Sequence, residues 1–112
     1  MVKNSYIPDR GDIVWLDFNP TKGHEERGSR SALVISRQKY NSRSGLMIAC
    51  PITSSKKGYP FEVIVQKDDI DGVVLVDQVK SIDWRARKVR HITRVENTVM
   101  DEVGGKLEVL IG

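Results

Sequence analysis

Soft metal ligands are nearly missing from this chain. Cys50 is its only cysteine, and His24 and His91 are its only histidines. A single cysteine excludes an internal disulfide and fits a reducing compartment. So few thiol and imidazole groups leave no set for a zinc or iron centre, and no motif calls for a cofactor; a carboxylate-built magnesium site stays open on composition. Long apolar runs are missing too. Nothing approaches the roughly 20 residues needed to span a bilayer, and the opening Met1-Val2-Lys3-Asn4-Ser5-Tyr6 lacks the apolar stretch of a signal peptide. A cytoplasmic protein without membrane contact is expected. The phosphate-cradling glycine loop, the GxSxG elbow and the HExxH pair are all absent, so nucleotide hydrolysis and metal-dependent proteolysis have no support. No repeat, linker or low-complexity segment divides the 112 residues, a length that suits one core. A single domain over residues 1–112 follows.

What is present is charge, unevenly placed. Residues 1–58 carry 10 basic and 5 acidic side chains, whereas residues 59–112 carry 8 and 10. Within the second half, the stretch from Lys80 to Arg94 still sets six basic residues against Asp83 alone. Basic segments distant in sequence can merge on a folded surface into one anion-attracting face.

Short β-branched and aromatic runs, each bounded by turn residues, dominate the pattern. Asp12 to Phe18 reads as the first strand, with Val14, Leu16 and Phe18 on one side and Ile13, Trp15 and Asp17 on the other. Ala32 to Ser36, Leu46 to Ile52, Phe61 to Gln66 and Val73 to Val79 follow, divided at Asn41 to Gly45, Ser54 to Pro60 and Asp68 to Gly72, with Asp71-Gly72 as a turn pair. Trp84 to Lys88 reads as a short helical turn and Val89 to Thr93 as a last strand. Thr93-Arg94-Val95-Glu96 has capping-box spacing, and Val99, Met100, Val103, Leu107 and Leu110 make a stripe of helical period that runs past Gly104-Gly105. The spacing predicts a small, mainly β barrel closed by one C-terminal helix.

Between the first two strands lies a polar loop, Pro20 to Ser31, holding His24, Glu25, Glu26, Arg27 and Arg30. A second polar segment, Pro51 to Gly58, ends the third strand. In a barrel both can reach one rim. RNA can be cut without metal by its own 2′-hydroxyl if the protein supplies a base, an acid for the leaving 5′-oxygen and positive charge for the phosphorane. Arginine offers fixed planar donors for that charge. Glu25 can take a proton or orient the ribose, and the Thr53 hydroxyl can bond the phosphate or relay a proton.

Several blocks carry a resemblance: Gly11-Asp12-Ile13-Val14-Trp15, Asp17 to Glu25, Arg30, Pro51-Ile52-Thr53, Lys57-Gly58-Tyr59-Pro60-Phe61-Glu62-Val63 and Asp77-Gln78-Val79-Lys80-Ser81. Together they resemble the MazF/PemK family of toxin endoribonucleases, nearest its MazF branch, over almost the whole chain. The resemblance implies an SH3-like barrel, a homodimer, cleavage of single-stranded RNA at short sequences with inhibition of translation, and a MazE-type antitoxin partner with an acidic, flexible tail. By position, Arg30 and Thr53 fall on the family's catalytic arginine and threonine and Glu25 on its functional loop glutamate. Asp77 and Gln78 fall on a pair associated with substrate contact, and Lys57 is carried over with them. Adding Asn19, Lys22, Ser54 and Lys80 from the same segments completes the expected RNA-binding set. One departure stands out, because the family usually has Arg-Pro where this chain has Arg30-Ser31. Proline would keep the arginine before it out of the α region; serine lifts that restraint and restores an N–H.

Two other readings compete: a non-catalytic toxin on the same barrel that binds a protein target such as DNA gyrase, and a plain RNA-binding module. Gyrase-directed relatives lack the arginine and threonine pair, so Arg30 with Thr53 favours the nuclease. Cys50 reads as a small buried hydrophobe, His91 as structural, and both tryptophans as packed.

Overall fold

The computed structural model describes residues 6–17 and 29–112. Its elements in chain order are β1 (Asp12–Asp17), β2 (Ser29–Val34), α1 (Gln38–Ser44), β3 (Leu46–Thr53), β4 (Glu62–Lys67), β5 (Ile70–Leu75), a 3₁₀ turn (Val76–Gln78), β6 (Lys80–Asp83), β7 (Arg90–Arg94) and α2 (Asn97–Ile111). All strand pairs are antiparallel, in the order β4-β5-β3-β2-β1-β7 with β6 also on β3. The sheet curls into a half-barrel with α2 against it, which is the mainly β, SH3-like architecture expected.

β3 is the strand that makes the curl possible. One edge pairs with β2, while the other is shared: β6 lies along Leu46 to Ala49 and β5 along Ile52 and Thr53. Pro51 stands at the change of partner, where its missing N–H costs no ladder bond on that edge. The 3₁₀ turn bridges the same gap, carrying the chain from β5 to β6.

Alternation along the strands sends side chains into two cores. Ile13, Leu33, Cys50, Val63 and Val74 pack with Val95, Met100 and Val103 around α2. Val14, Leu16, Ala32, Val34, Met47 and Ala49 pack on the other face with Trp84 and Val89. β1 is therefore covered on both sides, as its composition predicts. Trp84 is buried and donates its indole N–H to the Asn41 carbonyl at 2.9 Å. Trp15 departs from the expectation and remains 39% exposed.

Other expectations are corrected. Asp71-Gly72 is not the turn of the β4–β5 hairpin; it lies inside β5, and the turn is made by Asp68 and Asp69, with Asp68 at a φ of 54°. α1 occupies what reads in sequence as a divider, and Gly45, at a φ of 76°, ends it in the left-handed conformation. β6 is an additional strand. Thr93 belongs to β7, so no capping box forms, and α2 starts after Glu96 with no side-chain cap. α2 does run through Gly104 and Gly105, because Met100 and Val103 before the glycines and Leu107 after them pack against the same core. Among the described residues no helix is long and apolar enough to cross a membrane.

A buried carboxylate pins the start of the chain to the sheet. Asp12, 4% exposed, accepts from the Tyr6 hydroxyl at 2.6 Å, the Asp9 backbone N–H at 3.0 Å and Arg94 at 2.8 Å. Burial, reinforced by the Asp12 carboxylate, pushes the Tyr6 hydroxyl's pKa far up.

Candidate active site

Arg30 and Thr53 lie on neighbouring strands, each two residues beyond the last paired residues, Ala32 and Pro51. β2 and β3 pair Val34 with Ala49, Leu33 with Cys50 and Ala32 with Pro51. Side chains alternate along a strand, so Arg30, two residues from Ala32, and Thr53, two residues from Pro51, fall on the face of that pair. Residues directly opposite in an antiparallel pair share a face. For these two it is the face of Ala32 and Ala49, where Leu16 of β1 also pairs with Arg30. Arg30 is exposed and Thr53 half-buried, so a buried floor carries an accessible rim.

The Thr53 hydroxyl is oriented by its own turn. Its Oγ1 accepts from the Ser55 backbone N–H at 3.1 Å. That bond occupies a lone pair and leaves the hydroxyl proton to be donated elsewhere. The Thr53 backbone is packed equally closely, since β5 crosses it at Gly72 with no room for a side chain.

Beyond Thr53 the exposed segment Ser54 to Pro60 is tied to the β4–β5 hairpin. Lys56 pairs with Asp71 at 2.9 Å, and this contact, with Gln66 at 3.3 Å from the same carboxylate, holds Asp71 below the usual carboxylate range. Glu62 accepts from the backbone N–H of Gly58 at 2.9 Å and of Lys57 at 3.2 Å. Sequence reasoning picked Lys57 and missed the supports of this rim, which are Glu62 on the Lys57 backbone, Asp71 on Lys56 and Gly72 against Thr53. The isolated glycine in a β-branched strand is the signal that could have exposed the last of these.

Asp77 and Gln78 sit exposed on the 3₁₀ turn beside β3. The charge of Asp77 reaches Cys50, whose thiol is pushed up to about 12, chiefly by burial. Cys50 is thus a core residue, as expected. Lys80 pairs with Ala49 and so projects to the face of Arg30 and Thr53. A pocket of about 520 Å³ opens on that face, lined by Asp17, Lys80, Ile82, Asp83, Arg87 and Lys88 among others. Glu25, Asn19, Lys22 and His24 lie outside the described residues. His91, expected as structural, lies on β7 with its ring edge-on to Tyr6 and 3.7 Å from Asp12.

A small antiparallel half-barrel with an arginine and a hydroxyl on one face, beside a pocket lined by both basic and acidic side chains, defines an SH3-like domain. The chain belongs to the family described as PemK-like, MazF-like toxin of type II toxin–antitoxin systems, which matches residues 9–111. It is 47% identical over 107 residues to the endoribonuclease toxin MazF of Escherichia coli K12, covering 96% of each chain. To the endoribonuclease toxin ChpB of the same organism it is 36% identical over 117 residues, covering 99% of each. Its fold superposes on the MazE–MazF crystal structure (Form-II) from Deinococcus radiodurans with a TM-score of 0.90 at 49% identity, covering 96% of this chain and 98% of that one. The expectation of a toxin of the MazF/PemK family, drawn from the sequence blocks, is borne out.

Proposed function

We propose that this chain is a metal-independent endoribonuclease toxin that cuts single-stranded RNA at short sequences and thereby inhibits translation in the cytoplasm. The observation that carries the reading is the shared face of Arg30 and Thr53 on neighbouring strands, in a family whose curated relatives are named endoribonucleases. In the reaction the ribose 2′-oxygen attacks phosphorus while its proton passes to a base, for which Glu25 is the candidate. Arg30 offsets the charge that builds on the phosphorane, and the Thr53 hydroxyl donates to a phosphate oxygen. The bond to the 5′-oxygen then breaks and that oxygen leaves with a proton. A 2′,3′-cyclic phosphate and a 5′-hydroxyl remain, and DNA, lacking the 2′-oxygen, cannot follow this route. Lys57, Lys80, Asn19, Lys22, Ser54, Asp77 and Gln78 form the proposed RNA-contact set around this centre.

A homodimer and an antitoxin with an acidic, flexible tail complete the proposal. Solved neighbours include MazE–MazF complexes, and an acidic chain and an anionic substrate would seek the same basic rim. The test is incubation of pure protein with single-stranded RNA in excess EDTA. Cleavage with cyclic-phosphate and 5′-hydroxyl ends is expected. No cleavage of any RNA would overturn the reading and favour a toxin that acts by binding a protein.

A further inference from the structure

Two adjacent lysines in the Ser54 to Pro60 segment have different fates. The Lys56 ammonium is engaged by Asp71 at 2.9 Å. The Lys57 ammonium makes no hydrogen bond or ion pair to any described residue, while its backbone N–H is held by Glu62. Gly58, at a φ of 78°, turns its own N–H onto the same carboxylate at 2.9 Å. Successive N–H groups converging in this way form an anion-binding nest. Here the nest is filled from within the chain, so an incoming phosphate is left the Lys57 side chain and not the backbone.

The mount has further fastenings. The Glu62 N–H returns to the Tyr59 carbonyl at 3.1 Å, closing the turn, and Lys106 of α2 donates to the Pro60 carbonyl. Glu62 also opens β4, where it pairs with Leu75 across the hairpin. Its carboxylate therefore connects a strand of the sheet to the backbone that carries Lys57.

We infer that Glu62 is a positioning residue for the contact between Lys57 and an RNA phosphate, acting by holding the Lys57–Gly58 backbone. The inference rests on the nuclease reading and deepens it. Glu62 touches neither the scissile phosphate nor the ribose; it lowers the cost of ordering the lysine on substrate. Its loss should weaken RNA binding and leave the chemical step alone.

The test is a double-mutant cycle read in cleavage kinetics. Glu62→Ala, Glu62→Gln, Lys57→Ala and the pair Glu62→Ala with Lys57→Ala are compared with the wild type, thermal midpoints confirming that each is folded. Glu62→Ala should raise KM about tenfold, the scale of one lost charge-assisted bond, with kcat within about twofold. Glu62→Gln keeps an acceptor oxygen and should recover part of the affinity. Because Glu62 acts through Lys57, the double variant should be no worse than Lys57→Ala alone. A wild-type KM for Glu62→Ala, an effect on kcat instead, or a double variant showing the product of the single effects overturns the inference. Wild-type protein that cleaves no RNA overturns the nuclease reading and this inference together, whereas active wild type with an unaffected Glu62→Ala overturns this inference alone.

Discussion

Gly72 and Thr53 stand in a contact that only glycine permits: a Cβ at Gly72 would lie 2.3 Å from the Thr53 carbonyl oxygen and 3.0 Å from its carbonyl carbon. Both clashing atoms are backbone, so no rotamer change relieves them. The proposed catalytic threonine is thus seated against β5 with no gap between the two chains.

Gly72→Ala should push β5 away from the end of β3. Overpacking of this kind costs about 1–3 kcal/mol, so the urea midpoint should fall, and cleavage should fall further than the loss of folded protein explains. Equal midpoints for variant and wild type would show that the strands part freely.

Arg30→Ala removes an exposed side chain from the rim and should change stability by less than about 0.5 kcal/mol. Loss of the charge proposed to face the phosphorane should lower kcat by about a hundredfold or more. Circular dichroism and urea denaturation check the first part, single-turnover cleavage the second. A folded variant with full activity removes Arg30 from the mechanism.

Ser31→Pro should be tolerated in both fold and rate. Backbone N–H groups alternate in direction along a strand, and Ile35 points its N–H to Ile48 of β3 at 2.8 Å, so that of Ser31 also points toward β3. The β2–β3 register ends at Ala32 with Pro51, one residue short of it. Pairing of Leu16 with Arg30 already holds the arginine extended, which is the conformation a following proline would favour. Parallel kinetics should agree within about twofold, since no ladder bond is lost. A large gain in kcat would mean that the strand leaves Arg30 under-restrained.

Alkali should loosen the fold through two groups. Cys50 is raised from 9.0 to about 12 by burial, and Tyr6 is raised by burial and by its bond to Asp12. A folded-state value above the unfolded one contributes stability that is complete below the unfolded value and is lost as pH rises through the folded one. Between 9.0 and about 12 the unfolded chain releases the Cys50 proton and the folded chain retains it. Stability should drop by about 1.4 kcal/mol per pH unit from this group alone. Urea titrations at about pH 8 and about pH 10 should show the fall, and Cys50→Ala should make it shallower. An unchanged slope in that variant would assign the loss elsewhere.

The sequence made some of this legible and hid the rest for physical reasons. β1, β3, β4 and α2 announce themselves because one or both faces are buried and the period shows. α1 does not: its seven residues bury only Asn41, a polar side chain with no period to read. Asn41 is held by the nearby Ser36 hydroxyl at 2.5 Å and by the Pro8 carbonyl at 2.8 Å, a partner that becomes a neighbour only after folding. β6 has only Ile82 reaching a core, and Asp71-Gly72 imitates turn chemistry while serving close packing. The candidate site follows the same division. Arg30 and Thr53 were identified through resemblance, whereas their common face follows from a strand register that no local pattern encodes.

The order in which the segment Ser54 to Pro60 and its supports occur along the chain has a consequence for fragments. Glu62, Asp71 and Gly72, which hold or seat this part of the rim, all come later in the chain than Thr53 and Lys57. During synthesis the proposed working residues leave the ribosome before the hairpin that fastens them. A chain ending at residue 61 would contain Arg30, Thr53 and Lys57 and the strand pairing that relates the first two, but none of the groups that seat the segment carrying Lys57.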